Sequence, residues 1–233
     1  MPAMPENVKK IMVRLEDAGY EAWCVGGAVR DALLGRTPGD WDVATSAAPE
    51  TVLALFAPHG LPTGLKHGTV TVEGTEVTTF RRDGSYGDNR RPDYVEFTRS
   101  LEEDLCRRDF TVNAIAVNLH GETADPFGGR EDLSRGLLRA VGAPEKRFGE
   151  DALRILRGLR FASRLGFSLE AETGRAIHRC GPLLKHIAPE RIQTELTGIL
   201  CGEYAARVLL DYPDVLGVFM PEILPCVGFD QHS

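Results

Sequence analysis

The sequence predicts an α+β protein whose first part mixes strands and helices and whose second part is all-helical. Up to about residue 142, short β-branched runs with alternating polarity lie among segments of helical spacing. From Pro144 onwards the apolar spacing is helical throughout, and Gly166, Gly181 and Gly202 divide it into segments. We therefore predict two domains, residues 1–142 and residues 143–233.

The individual elements follow from periodicity and from turn residues. Strands are predicted over 21–25, 41–44, 69–72, 76–80, 94–98 and 115–118. Helices are predicted over 7–17, 28–34, 50–56, 150–165, 170–180, 189–201 and 203–211, with a short helix after the capping box that begins at Ser100. The polar, glycine-bearing stretch 81–92 predicts a mobile loop. Lys66 and His67 lie in a predicted turn, and we assign them no chemistry.

Composition excludes several classes of protein. The 233 residues are 42% hydrophobic and 26% charged, which is ordinary for a soluble globular protein. No apolar run approaches the roughly 18 residues of a membrane span, and the N-terminus has no apolar signal core. Five scattered cysteines without a Cys-x-x-Cys pair predict reduced thiols in the cytoplasm, and no His and Cys spacing indicates zinc.

The net charge of −7 does not exclude an RNA partner, because the charge is uneven. Residues 146–164 contain six basic residues and two acidic ones. We therefore expect a localised basic track for phosphates rather than a basic protein.

The first motif with chemical content joins a glycine pair to two carboxylates. Gly26 and Gly27 open a predicted helix that contains Arg30, and Asp40 and Asp42 follow in a predicted strand. Side chains at i and i+2 share one face of a strand, so the two carboxylates should project together, about 6–7 Å apart, and attract Mg²⁺. The glycines and Arg30 would hold a triphosphate, which gives the chemistry of nucleotidyl transfer. The simpler interpretation is a helix-start turn followed by two solvated aspartates.

Glu76 begins a neighbouring predicted strand. It could complete a three-carboxylate cluster and act as third carboxylate or base, taking a proton from an attacking hydroxyl. An exposed strand glutamate is the equally open alternative.

Four polar residues follow the short helix after Ser100. Asp109 and Asn113 could hydrogen-bond ribose hydroxyls while Arg107 or Arg108 meets phosphate. The alternative is a charged helix end.

The predicted helix over 150–165 has one face that could recognise the base of a nucleotide. Asp151 and Arg154 are three residues apart, so they should be neighbours on that face, as an ion pair or as a base-recognition pair. A carboxylate accepts from the exocyclic amine of cytosine or adenine, and an arginine donates to the adjacent ring nitrogen. Uracil and guanine present the reverse pattern, which costs roughly 1–3 kcal/mol for each contact. Arg157, Arg160 and Arg164 recur at helical spacing as a phosphate track or a solvated face.

Five co-linear motifs resemble the family of class II CCA-adding tRNA nucleotidyltransferases and bacterial poly(A) polymerases. They are the stretch 26–35 with Asp40 and Asp42, the Arg-Arg-Asp stretch 107–114, Asp125 to Leu133, Glu150 to Arg157, and Glu190 to Glu195.

The resemblance implies a nucleotidyltransferase (polymerase-beta-like) head with a five-stranded mixed sheet, followed by a helical neck. It implies that Asp40 and Asp42 bind two magnesium ions and that the Arg-Arg-Asp stretch contacts the sugar of the nucleotide. The Glu-Asp-x-x-Arg helix is implied to act as an amino-acid template, and the 81–92 loop to help the switch from C to A addition. The implied reaction adds C and A from CTP and ATP to the tRNA 3′ end and releases pyrophosphate.

Several alternatives stay open from the sequence. A poly(A) polymerase or the A-adding enzyme of a split system shares nearly all these motifs. A non-catalytic RNA-binding domain and a small-molecule nucleotidyltransferase are more distant alternatives. We expect the chain to be a truncated form of a longer protein, and the sequence leaves the oligomeric state open.

Overall fold

The computed structural model describes residues 4–84 and 94–229. Backbone contacts divide these residues into a first compact unit, up to 84 and 94–133, and a second unit, 134–229. The short strand at 137–138 pairs with the strand at 168–169, which associates the residues just after 133 with the second unit. The predicted domain division at 142 stays a prediction.

The first unit is organised around a mixed sheet. The strands are β1 Ala22–Val25, β2 Asp42–Thr45, β3 Gly60–Gly64, β4 Thr69–Val72, β5 Thr75–Thr79, β6 Arg81–Asp83, β7 Val95–Phe97, β8 Ala116–Val117 and β9 Thr123–Ala124. The sheet order in the described residues is β3-β4-β5-β2-β1-β8-β9, and β6 and β7 form a separate hairpin. Strands β2 and β5 are parallel, and the other pairs of this sheet are antiparallel. The mixed sheet is confirmed, with seven described strands where five were expected.

Helices in the N-terminal part carry apolar faces at the predicted spacing. They are α1 Glu6–Asp17, α2 Gly27–Leu33, α3 Pro49–Leu55, α4 Leu101–Cys106 and α5 Gly129–Arg135. Helix α1 buries Val8, Ile11, Met12 and Leu15, the four positions whose spacing predicted it. The Oγ atom of Ser100 accepts a hydrogen bond from the backbone N–H of Glu103 at 3.3 Å, so the predicted N-cap of α4 is confirmed.

The second unit is mainly helical, as predicted. Its helices are α6 Pro144–Glu150, α7 Leu153–Leu165, α8 Ala171–Cys180, α9 Pro189–Leu200, α10 Ala205–Asp211 and α11 Pro213–Leu216. A small parallel pair, β10 Leu137–Leu138 and β11 Ser168–Leu169, accompanies them.

The helix predicted over about 150–165 is confirmed from Leu153 to Leu165 and is wrong at its start. Helix α6 ends at Glu150, and Asp151 has an extended backbone with φ −140° and ψ 106° before α7 begins at Leu153. The Oδ1 atom of Asp151 accepts from the backbone N–H of Leu153 at 3.0 Å. Such a local side-chain bond competes with helical hydrogen bonding, and it explains why the chain breaks at this aspartate.

The predicted mobile loop 81–92 is wrong at its start, because residues 81–83 pair with 95–97 as a hairpin. Its residues 85–92 lie outside the described residues. Within the described part of the chain, no helix combines the length and the apolar character needed to cross a membrane.

Candidate functional site

Two carboxylates come together where parallel strands β2 and β5 begin. Val43 on β2 is the partner of Val77 on β5. Asp42 and Glu76 each come one residue earlier, so they lie at the same end of these two neighbouring strands. The antiparallel pairing of β1 with β2 sets Val25 opposite Asp42, and Gly26 follows directly. Strand register therefore brings the glycine motif and the carboxylate motif to one place.

Asp40 is not on the strand, which corrects the i, i+2 argument. Strand β2 begins at Asp42, and Asp40 lies exposed in a bend two residues earlier. The charge of Asp40 nevertheless contributes to the raised pKa of Asp42, so the two carboxylates lie within electrostatic reach.

The Asp42 carboxyl has an unusual pKa for a half-buried aspartate. Burial, with repulsion from Glu76 and Asp40, raises the pKa of Asp42 to about 6, while Arg108 acts in the lowering direction. The concentrated negative charge therefore exceeds what the neighbouring arginine offsets.

This charge pattern fits a divalent cation held by few protein ligands. Within residues 4–84 and 94–229, no three His, Cys, Asp or Glu side chains converge as ligands of one ion, so the structure does not bring Glu76 together with Asp40 and Asp42 as ligands of a single metal. The role of Glu76 as third carboxylate or base stays a prediction. Mg²⁺ commonly takes one or two protein carboxylates together with substrate phosphate oxygens and water. Asp40 and Asp42 could supply such carboxylates, a role that stays a prediction, and Glu76 adds negative charge beside Asp42.

Gly26 provides a close approach of backbone to this charge cluster. Its φ of +77° is disfavoured for any residue with a side chain. A Cβ atom at this position would stand 3.3 Å from Nη1 of Arg108 and 3.8 Å from Oδ2 of Asp42. The missing side chain therefore leaves a small space bordered by a guanidinium and a carboxylate.

Arg107 and Arg108 are both held by Asp104, which is fully buried. Oδ1 of Asp104 accepts from Nε and Nη2 of Arg107 at 3.0 and 2.8 Å, and Oδ2 accepts from Nη2 of Arg108 at 3.2 Å. Burial opposes ionisation of Asp104, but the two arginines hold its pKa below the usual value. Nε of Arg108 is buried and has no hydrogen-bond partner among the described residues.

Arg30, Asp109 and Asn113 form one buried hydrogen-bond chain. Nη1 of Arg30 donates to Oδ1 of Asn113 at 2.8 Å, and Nδ2 of Asn113 donates to Oδ1 of Asp109 at 3.1 Å. All three are at most 9% exposed. The chain ties α2 to the segment after α4, and the roles predicted for these residues in triphosphate and sugar binding stay predictions.

In the second unit, Asp151 and Arg154 do not form the ion pair that was one of the two sequence interpretations. Oδ2 of Asp151 accepts from Nη2 of Arg191 at 3.1 Å, and Nη1 of Arg154 donates to Oε2 of Glu150 at 2.8 Å. Each of these two residues thus has its own partner of opposite charge.

Arg157 and Arg160 lie half-buried on α7 rather than on a solvated face. Both guanidinium groups lie over the ring of Phe161, and Nε of Arg160 donates to Oε2 of Glu195 on α9 at 2.6 Å. Of the two alternatives, a solvated face does not describe Arg157 and Arg160, whereas Arg164 is exposed. A nucleotide-binding role for Arg157 and Arg160 stays a prediction.

Sequence reasoning missed two side chains that hold the candidate site residues. Asp104 precedes Arg107 and Arg108 by three and four residues, a helical spacing that carried the signal. Arg191 lies forty residues after Asp151, and no local pattern reveals that contact.

These features are those of a nucleotidyltransferase head: a mixed sheet, carboxylates beside a glycine turn, and a pair of arginines, one of them close to both. Nucleotidyltransferases of this fold generally use divalent metals. Residues 22–139 match the family profile described as "Poly A polymerase head domain", and residues 166–225 match one described as "Probable RNA and SrmB- binding site of polymerase A". The chain belongs to this family of CCA-adding enzymes and poly(A) polymerases.

Curated relatives carry one function in their names. The CCA-adding enzyme of Geobacillus thermodenitrificans is 56% identical over 203 residues, 85% of this chain and 50% of the relative. That of Leuconostoc mesenteroides is 51% identical over 207 residues, 87% of this chain and 51% of the relative. The chain therefore spans about half the length of the curated relatives it matches.

Solved structures agree in fold. The Bacillus stearothermophilus CCA-adding enzyme in complex with CTP matches with a TM-score of 0.82 and 51% identity, over 90% of this chain and 52% of that one. The Thermotoga maritima CCA-adding enzyme complexed with tRNA_CCA matches with a TM-score of 0.76 and 26% identity, over 92% and 52%.

Proposed function

We propose that this chain is the head and neck of a CCA-adding tRNA nucleotidyltransferase. The reaction adds C and A from CTP and ATP to the tRNA 3′ end without a nucleic-acid template and releases pyrophosphate. The observation that carries the proposal is the meeting of Gly26, Asp42 and Arg108, since a Cβ on the glycine would touch both charged groups. Names of relatives at 51–56% identity support the same reaction.

The proposed chemistry joins a 3′ hydroxyl oxygen to the α-phosphorus of the nucleotide and breaks the bond to pyrophosphate. Asp40 and Asp42 would hold Mg²⁺, which activates the hydroxyl and neutralises the triphosphate when bound. Glu76 is proposed to accept the hydroxyl proton, since its carboxylate lies exposed beside Asp42.

Nucleotide binding is proposed to use the glycine turn and the arginine pair. Gly26 and Gly27 let phosphate approach the backbone, and Arg108 supplies a charged donor through Nη1, which borders the space at Gly26. Arg107 would act beside Arg108, while Asp109 and Asn113 would bind ribose hydroxyls.

Base choice is proposed to lie in the second unit. Asp151 would accept from the exocyclic amine of C or A, and Arg154 would donate to the ring nitrogen. Each oxygen of Asp151 already accepts one hydrogen bond and retains a further lone pair. The tRNA substrate and five free thiols fit a cytoplasmic protein.

The deciding experiment is nucleotide incorporation into a tRNA transcript that lacks CCA. CTP and ATP are supplied separately and together with Mg²⁺, using this chain beside a longer form of the protein. Addition of two C residues followed by one A is expected, and Asp42→Asn should abolish it while thermal unfolding stays cooperative. ATP incorporation without any CTP incorporation would instead support a poly(A) polymerase or an A-adding enzyme. Full activity of Asp42→Asn would reject the metal assignment.

A further inference from the structure

Asp104 occupies the centre of a charged cluster beside the proposed metal site. The side chain is 0% exposed, and it accepts hydrogen bonds from both Arg107 and Arg108. Its Oδ1 also accepts from the backbone N–H of Arg81 at 3.4 Å, so strand β6 helps to fix its position. A buried carboxylate with three donor residues has little freedom to move.

Arg108 has two acidic groups within reach but bonds to one of them. A Cβ on Gly26 would stand 3.3 Å from Nη1 of Arg108 and 3.8 Å from Oδ2 of Asp42, so these two charged atoms lie within about 7 Å of each other. Among the described residues, the guanidinium bonds to Asp104, and Asp42 makes no hydrogen bond or ion pair. The nearby Asp109 accepts from the N–H of Phe110 and from Asn113.

We propose that Asp104 is a positioning residue that holds Arg108 away from Asp42 and so keeps the Asp42 carboxylate available to a divalent cation. This inference rests on the metal role of Asp42 in the proposed function. Without the charge of Asp104, the buried guanidinium loses the carboxylate to which it is hydrogen-bonded. Asp109 is engaged by Phe110 and Asn113, whereas Asp42 borders the same small space as Nη1 of Arg108 and makes no hydrogen bond among the described residues. An Arg108–Asp42 ion pair would then compete directly with metal binding.

The test measures Mn²⁺ binding to the whole chain without nucleotide, by the electron paramagnetic resonance signal of free Mn²⁺. We expect Asp104→Asn to weaken binding about tenfold or more, as competition from an adjacent cation requires. The double variant Asp104→Asn/Arg108→Gln should bind Mn²⁺ as well as the unaltered chain or better, because the competing guanidinium is gone. Unchanged binding by Asp104→Asn, or equally weak binding by the double variant, overturns the inference.

Controls separate this role from general damage. Glu195→Gln breaks a buried arginine–carboxylate pair of the second unit and should lower thermal stability without changing Mn²⁺ affinity. If Asp104→Asn does not fold, Asp104→Glu decides: the retained charge should keep Mn²⁺ binding within about threefold, and a loss as large as that of Asp42→Asn overturns the inference. No Mn²⁺ binding by the unaltered chain, or full binding by Asp42→Asn, rejects the metal assignment itself and this inference with it.

Discussion

Replacing Gly26 by alanine adds one methyl group at the point where the backbone approaches the charge cluster. Two effects act together. The φ of +77° is a strained conformation for alanine, and the new Cβ lies 3.3 Å from Nη1 of Arg108. The backbone strain lowers the stability of the folded protein, and the contact with Arg108 alters the proposed phosphate-binding space.

The sizes of these effects are separable. Gly26 has φ +77° and ψ −141°, a backbone conformation that only glycine adopts readily, so alanine there costs about 1–3 kcal/mol and lowers the unfolding temperature of a protein of this size by roughly 2–12 °C. Because the new Cβ lies only 3.3 Å from Nη1 of Arg108, the guanidinium must move by a few tenths of an ångström. The methyl group then fills the space between Arg108 and Asp42. Loss of one charge-assisted contact to phosphate costs about 1.5–3 kcal/mol, so kcat/KM for CTP should fall roughly 10- to 150-fold.

The matched control is Gly35→Ala. Gly35 also has a positive φ, of +70°, but a Cβ there meets nothing within 4 Å. Both variants should lose thermal stability, Gly26→Ala at least as much as Gly35→Ala, whereas only Gly26→Ala should lose CTP affinity by calorimetry and activity in the incorporation assay. Equal activity of the two variants, at a temperature where both are folded, would refute the role given to the space at Gly26.

Three further predictions concern charge, packing and base choice. Asp42→Asn should raise the unfolding temperature in EDTA at pH 8 by roughly 2–4 °C, because a carboxyl whose pKa is raised to about 6 destabilises the folded state once ionised. The gain should fade between pH 6 and pH 4, and a lower unfolding temperature of the variant at pH 8 would contradict the destabilising charge assigned to Asp42. Gly129→Ala should destabilise by about 3 kcal/mol or more in urea unfolding, because its Cβ would lie 2.2 Å from the carbonyl oxygen of Thr111. Gly149→Ala, with open space at the Cβ, is its control, and equal stability of the two would contradict the packing. Asp151→Ala should reduce discrimination against UTP and GTP about 10- to 100-fold with little change in triphosphate affinity, and retained selectivity in single-nucleotide assays would reject the reading role.

Local periodicity was sufficient for most of the fold. The spacing of Val8, Ile11, Met12 and Leu15 predicted α1, and all four are buried. The sequence-based boundary failed at Asp151, where a side chain bonds to the backbone N–H two residues later and interrupts an otherwise helical pattern. Propensity scales describe average residues, so a specific bond of this kind lies outside them.

Prediction of the candidate site was limited by distance along the chain. Gly26 and Asp42 were paired from their order, and the strand register of Val25 with Asp42 gives that pairing its geometry. The approach of Arg108 to the same place depends on tertiary packing, and no periodic pattern encodes it. For the same reason the contact of Asp151 with Arg191 was not predictable, although both residues belong to recognised motifs.

The contacts of Asp151 and Arg154 have a consequence for the base recognition that we propose for them. Arg191 and the N–H of Leu153 restrain the rotamers of Asp151, and Glu150 restrains Arg154, before any base arrives. Long flexible side chains otherwise lose about 0.5–1.5 kcal/mol of conformational freedom when a ligand immobilises them. Side chains of Asp151 and Arg154 that are already restrained avoid that loss of conformational entropy. They also cannot easily adapt to the reversed hydrogen-bond pattern of U or G. Rigidity of these two side chains would therefore serve accuracy as much as affinity.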